Sequence, residues 1–117
     1  MLDGKLDPTD PLPLFEQVCA EIRRAIAERE AQPGERLPTA KALAAVLGVN
    51  SNTVLRALRV LRDEGLLELR RGRGVTVAAT PEKSAVLLRA KEVVSFARRH
   101  GYARDELVRM IEALPAE

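Results

Sequence analysis

Apolar residues recur at helical spacing in the stretch from 39 to 61. Leu43, Val46 and Leu47 lie at positions i, i+3 and i+4, which is typical of a helix that buries one face. Gly48 can end that helix, because glycine adopts a left-handed conformation without steric cost. A second apolar series begins soon afterwards, so the stretch predicts two short helices joined by a tight turn.

The second of these helices has two contrasting faces, which predicts that it packs on a core with one side and presents polar side chains on the other. Asn50 is a good N-cap residue for it. Its inward face consists of Val54, Ala57, Leu58 and Leu61. Its outward face consists of Ser51, Asn52, Leu55, Arg56, Arg59 and Arg62.

A longer helix is predicted before this pair. It begins near Pro13, since proline is tolerated at the first position of a helix. Its apolar residues recur every four positions, which would let it back the two shorter helices and complete a three-helix core. These residues are Leu14, Val18, Ile22 and Ile26.

Two short runs of alternating apolar and polar residues follow the helices. Leu67 and Leu69 alternate with charged residues, and Val75 and Val77 alternate with small ones. The glycine-containing segment between them, 71–74, completes the signal for a β-hairpin. Arginines crowded at a hairpin tip repel one another, and a nucleic-acid backbone would relieve that repulsion, although a solvated turn is the alternative.

The segment from 80 to 117 predicts two helices separated by Gly101. Thr80 and Pro81 are typical of the N-cap and first position of the longer one. So short a segment cannot bury its apolar faces alone. We expect it to dimerise with a second copy, with packing on its own chain as the alternative. The residues concerned are Val86, Leu87, Ala90, Val93, Val94 and Ala97, then Leu107, Ile111 and Leu114.

Composition narrows the choice of function. The chain is 46% hydrophobic and 31% charged, which is typical of a globular protein. Aromatic residues make up only 3%, which disfavours recognition of nucleic acid by base stacking. The sequence contains no apolar run of membrane-spanning length and no secretory signal, so we expect a cytoplasmic protein without a membrane partner.

Charge is distributed unevenly. No Asp or Glu occurs between Glu35 and Asp63. An acid-free stretch with cations on an exposed helix face suits a polyanion, although a solvated face is equally compatible with the charges alone. The two-helix unit favours DNA, because a helix-turn-helix presents its second helix to the major groove. The cations are Arg36, Lys41, Arg56, Arg59 and Arg62.

The sequence offers no arrangement of residues for catalysis. His100 is the only histidine, and neither a Cys nor a carboxylate cluster at ligand spacing accompanies it, so no metal site or other cofactor is expected. Cys19 stands alone among apolar neighbours and is expected to fill the core. We therefore expect a protein that is not an enzyme.

Residues 11–79 resemble the winged helix-turn-helix of the GntR family of bacterial transcription regulators. The resemblance is carried by PLFEQV, PGERLPTAKALAAVLGVNSNTVLRALRVLRDEGLL and RRGRGVTV. It implies a mainly α fold with a small β-hairpin wing, and contact of DNA by the start of the second helix and the wing tip. With the cations of the exposed faces, the predicted DNA-binding residues are Lys41, Asn50, Ser51, Asn52, Thr53, Leu55, Arg56, Arg59, Arg71, Gly72 and Arg73.

Three positions depart from the family pattern. Ala42 stands where a glutamate often completes a capping box opened by Thr39, so only half of that box is present. Ser51 and Leu55 stand where the family commonly has arginine, so we expect an unusual operator. Leu55 is predicted either to contact a thymine methyl or to make a peripheral core contact.

The two-helix tail resembles that of YtrA-type GntR regulators, where it serves dimerisation. The expected organisation is a flexible lead-in at 1–10, a DNA-binding domain at 11–79 and a dimerisation tail at 80–117. The resemblance implies a dimeric repressor on a palindromic operator and suggests control of a transporter operon. The sequence does not identify an effector. The alternative is a protein-interaction module, which the clustered arginines and scarce aromatic anchors disfavour.

Overall fold

The computed structural model describes residues 6–116, so the first half of the predicted lead-in and residue 117 lie outside the description. Residues 7–10, expected to be loose, form a turn in which the Asp10 amide donates to the Asp7 carbonyl. The Asp7 amide in turn donates to Gln17 at 2.7 Å. The elements are α1 (Leu14–Ala27), α2 (Ala40–Leu47), α3 (Ser51–Asp63), β1 (Leu67–Arg70), β2 (Gly74–Val77), α4 (Pro81–Arg99) and α5 (Arg104–Ala113).

The first three helices enclose an aliphatic core, as the apolar spacing predicts. Val18, Ile22 and Ile26 of α1 are fully buried, whereas Leu14 is half-buried. The four inward residues predicted for α3 are all buried. Cys19 is buried among them, and its thiol lies 3.6 Å from the carbonyl oxygen of Ala57. This core fixes the orientation of α3.

The turn between α2 and α3 follows the predicted capping. Gly48 has φ = +71°, and its amide donates to the Ala44 carbonyl to close α2. The Asn50 side chain accepts from the Asn52 amide at 2.7 Å and starts α3. Thr39 caps α2 through the Ala42 amide alone, consistent with half a capping box. The α2–α3 geometry is therefore set by local hydrogen bonds.

For one residue of the apolar face predicted for α2, the prediction of burial is wrong. Val46 is 62% exposed, and the buried residues of α2 are Leu43, Ala44 and Leu47. α2 is short and largely apolar on several sides, so spacing alone does not select the buried face. The smaller Ala44 allows α2 to approach the core closely, while Val46 points away from it.

The two strands form an antiparallel hairpin, which we call the wing (residues 67–77). Leu67 pairs with Val77 and Arg70 pairs with Gly74. The segment before α2 extends the sheet, because the Leu37 amide donates to the Val75 carbonyl at 2.8 Å. A mainly α fold with a small hairpin wing is confirmed.

The tail, α4 and α5, packs partly on its own chain and leaves part of its apolar surface exposed. α4 packs along α1, where Ser84 is fully buried. Of the predicted dimerisation residues, Ala97 and Leu107 are buried, while Leu87 and Val94 are half-buried. The exposed ones are Val86, Ala90, Val93, Ile111 and Leu114.

One of the apolar residues assigned to the second tail helix, Leu114, needs a correction. The helix ends at Ala113, and Leu114 is its C-cap in an extended conformation. Leu114 precedes Pro115, and a residue before proline is disfavoured in the helical region. Leu114 is therefore not part of the α5 helical face, although it remains exposed beside it.

Candidate nucleic-acid interface

The outward face of α3 is positioned by its buried face. Ser51 and Asn52 are exposed in the first turn, next to the N-cap Asn50. Arg59 is exposed two turns later and has no carboxylate partner among residues 6–116. Thr53 is half-buried. The first turn thus presents hydroxyl and amide groups, which can donate to and accept from base edges.

Leu55 is half-buried on the same helix. Within the described chain, the half-buried apolar side chains that pack on the core include Val60 and Leu69 but not Leu55. This favours the interpretation in which Leu55 faces outward. Its contact with DNA stays a prediction.

Arg56 is held differently from the other predicted DNA contacts. Its guanidinium carbon lies 3.8 Å from the centroid of the Phe15 ring. Such cation–π stacking contributes about 0.5–1 kcal/mol at an exposed site. Arg56 therefore lies on the side of α3 that faces the start of α1, and its charge is oriented by that ring.

Lys41 lies in the first turn of α2, which contains no acidic residue. Its side chain is exposed, and the part of the chain described here supplies no carboxylate partner for it. A cation there opposes the helix dipole, at a cost of about 0.3–1 kcal/mol. A phosphate group would offset that cost.

The wing tip, residues 71–73, is exposed. Arg70, at its base, is neutralised by Glu68, whose Oε1 lies 2.8 Å from the arginine Nε. Arg71 and Arg73 make no ion pair within residues 6–116. Gly72 has φ = +77°, the left-handed conformation that this turn requires. The tip therefore carries two arginines whose charges are free to meet an anion.

Arg36 is a candidate residue that the sequence-based list omitted. It forms a β-bridge with Thr76. Its Cδ and Nε would lie 3.9 Å from a Cβ placed on Gly74, so the side chain runs along the base of the wing. It is exposed and has no carboxylate partner in the described segment. The acid-free stretch begins at Arg36, but a bridge of one residue leaves no periodic signal in a sequence.

Groups that could perform chemistry are scarce. No cluster of three or more His, Cys, Asp or Glu residues with metal-site geometry occurs between residues 6 and 116. Burial raises the pKa of the Cys19 thiol to about 12, so it stays protonated at neutral pH. The His100 ring stacks on Phe96, with 4.4 Å between centroids. None of the helices described here has the length and apolar character needed to cross a membrane.

The comparisons with known proteins agree with this geometry. The family model described as "Bacterial regulatory proteins, gntR family" matches residues 14–77. The HTH-type transcriptional repressor YtrA of Bacillus subtilis is 30% identical over 82 residues, which cover 70% of this chain and 63% of that protein. The resemblance found in the sequence is confirmed.

Two solved structures extend the comparison. YtrA from Sulfolobus acidocaldarius, a GntR-family transcription factor, is 32% identical with a TM-score of 0.61, and the match covers 93% of both chains. AraR(DBD) in complex with operator ORE1 is 33% identical with a TM-score of 0.57 and covers 64% of this chain and 92% of that one. The chain therefore belongs to the GntR family of bacterial regulatory proteins, a family of DNA-binding transcriptional regulators.

Proposed function

We propose that the chain is a dimeric repressor that binds a palindromic operator through α3 and the wing of each copy. The observation that carries the proposal is a set of exposed cations without carboxylate partners in the described chain. They belong to the segment before α2, to α2, to α3 and to the wing tip. These residues are Arg36, Lys41, Arg59, Arg71 and Arg73.

The residues divide into two kinds of contact. Ser51 and Asn52 in the first turn of α3 are suited to base edges in the major groove, and an asparagine can bind adenine through two hydrogen bonds. Lys41 and Arg59 are suited to flanking phosphates, which position the protein without reading sequence. Phosphate contacts of this kind make affinity depend steeply on salt.

The wing is proposed to hold the DNA beside α3. Arg71 and Arg73 flank Gly72, so the tip is narrow and carries two charges. Arginine is well suited to a phosphate backbone or to a narrow minor groove, where the potential is strongly negative. Arg70 contributes less in this proposal, because Glu68 already neutralises it.

Dimerisation is proposed for the apolar surface of the tail. α4 uses one face for α1 of its own chain and leaves another exposed beside α5. Val86 is 68% exposed and Ile111 54% exposed, and a contiguous apolar patch of this kind marks an interaction site. The proposed occupant is a second copy, because two-fold symmetry presents two α3 helices to paired half-sites.

Repression follows from occupancy of the operator, since a bound dimer excludes polymerase from the same DNA. The B. subtilis relative YtrA is named a transcriptional repressor, which supports this direction of control. The resemblance to YtrA-type regulators extends the proposal to a transporter operon. Bacterial DNA lies in the cytoplasm, so that is the proposed location.

Selection from a random DNA library tests the operator, with sedimentation of the full chain as the second measurement. The proposal predicts an enriched sequence with two-fold symmetry and a protein that is dimeric at micromolar concentration. A protein that enriches no sequence would refute operator binding. A chain that is monomeric both free and on DNA would refute the dimer.

A further inference from the structure

Ser84 forms an unusual buried contact between the tail and the DNA-binding domain. Its side chain is fully buried, and its hydroxyl donates to the carbonyl oxygen of Arg23 in α1 at 2.8 Å. The Arg23 guanidinium in turn binds Glu64 through two hydrogen bonds, of 3.0 and 2.6 Å. Glu64 is the C-cap of α3. We call Ser84, Arg23 and Glu64 the joint.

The neighbouring residue strengthens the joint. Lys83 extends its side chain over the glycine that follows α3, and a Cβ on Gly65 would lie 2.9 Å from the Lys83 ammonium nitrogen. The Lys83 side chain therefore reaches from the start of α4 to the residue that follows α3. The proposed dimerisation element thus begins close to the end of the proposed recognition helix.

A second contact fixes the direction of α4. The Lys91 ammonium lies 2.8 Å from a carboxylate oxygen of Glu16, and the two side chains are 30% and 16% exposed, respectively. Ser84 and Lys91 are seven residues apart in α4, as Glu16 and Arg23 are in α1. The two helices are therefore antiparallel and are tied at two points about 10 Å apart.

We propose that Ser84 is a positioning residue that sets the half-site spacing which the dimer prefers. Hydrophobic packing holds two helices together but tolerates rotation, whereas a buried hydrogen bond has a defined direction. The tail joins the two copies, and the joint orients each recognition helix relative to the tail. This inference rests on the proposed dimeric operator complex.

Because α4 is long, a small rotation at the joint produces a large displacement at the far end of the helix. The segment from Ser84 to Arg99 is about 22 Å long at the rise of an α-helix. A rotation of about 10° at Ser84 would therefore move its far end by about 4 Å. That displacement is comparable with the rise of about 3.4 Å per base pair in DNA. Loosening the joint should consequently change spacing preference rather than base preference.

The test measures affinity for a series of operators in which the two selected half-sites are moved apart or together by one base pair at a time. Wild-type protein is expected to lose about tenfold or more in affinity two base pairs from the best spacing, because the avidity of the second half-site is lost. In Ser84→Ala that penalty should fall to about twofold, with affinity for an isolated half-site unchanged.

One further variant is a matched control, and another tests the second contact of α4. Ser95→Ala removes a half-buried hydroxyl from the same side of α4 that makes no hydrogen bond to residues 6–116, and it should keep the wild-type profile. Lys91→Met removes the ion pair with Glu16 and should also reduce the dependence of affinity on half-site spacing. Sedimentation of each variant must show a dimer, so that a flattened profile does not arise from dissociation.

The outcomes separate the two proposals. A Ser84→Ala profile that coincides with the wild-type profile would overturn the role of Ser84 and leave the dimeric repressor intact. A wild-type protein that shows no dependence on spacing would refute the dimeric operator complex and the spacing role with it.

Discussion

Replacing Glu64 with alanine removes the carboxylate that neutralises a buried guanidinium. The Arg23 side chain is only 2% exposed, whereas Glu64 is 26% exposed. Both hydrogen bonds of the pair would be lost together, and no other carboxylate in the described chain pairs with Arg23. The variant would leave an unpaired charge inside the interface of α1 and α3.

The size of the effect follows from this burial. Removing one partner of a buried ion pair costs about 3–5 kcal/mol of unfolding free energy, and the partial exposure of Glu64 places the expectation near the lower value. For a domain of this size that corresponds to a fall in Tm of about 10–15 °C. The Arg23→Met/Glu64→Leu variant should recover much of the loss, because it removes the buried charge together with its partner.

Urea denaturation followed by circular dichroism at 222 nm measures the difference. Glu28→Ala is the matched control, because it breaks an arginine–glutamate pair with Arg24 whose side chains are 30% and 58% exposed. That pair should contribute less than about 1 kcal/mol. If Glu64→Ala proves no more destabilising than Glu28→Ala, the argument from burial is refuted.

Further predictions concern Leu55, Cys19 and the exposed apolar surface of the tail. Leu55→Arg should keep the wild-type Tm and change base preference at one position per half-site by about 1–3 kcal/mol in a library selection; a lower Tm with unchanged preference would favour a core contact. Cys19, whose pKa burial raises to about 12, should resist iodoacetamide at pH 8 until the chain is unfolded in urea, and rapid labelling of the native protein would contradict its burial. Because the unfolded thiol ionises near pH 9 and the folded one does not, stability should also decline above pH 9. Val86→Asp/Ile111→Asp should yield a monomer with weaker operator binding in sedimentation and titration, and an unchanged dimer would exclude this surface.

Local signals in the sequence predicted much of the fold. The caps at Thr39, Asn50 and Thr80 form as their side chains dictate, because each needs only the next few backbone amides. The inward face of α3 and the presence of the hairpin follow from periodicity in the same way. These features depend on residues close together in the chain.

Features that depend on tertiary contacts were not predictable. The exposure of Val46 reflects which side of a short apolar helix meets the core. Arg36 joins the wing through a bridge to a strand forty residues later, and Arg56 is oriented by a ring on α1. The face of α4 that packs on α1 is centred on Ser84 and Lys91. These residues are polar, so the spacing of apolar residues does not reveal this face.

DNA binding through α3 and the wing can be tested by the salt dependence of operator affinity in a wing variant. Arg71→Ala/Arg73→Ala removes two exposed cations, and Arg98→Ala/Arg99→Ala removes two from the end of α4 as a matched control. Each phosphate contact contributes about 0.9 to the slope of log affinity against log salt. We predict a slope shallower by about two for the wing variant, weaker binding to every sequence at low salt, and a wild-type slope for the control. A wing variant whose affinity and slope equal those of the wild type would contradict the account.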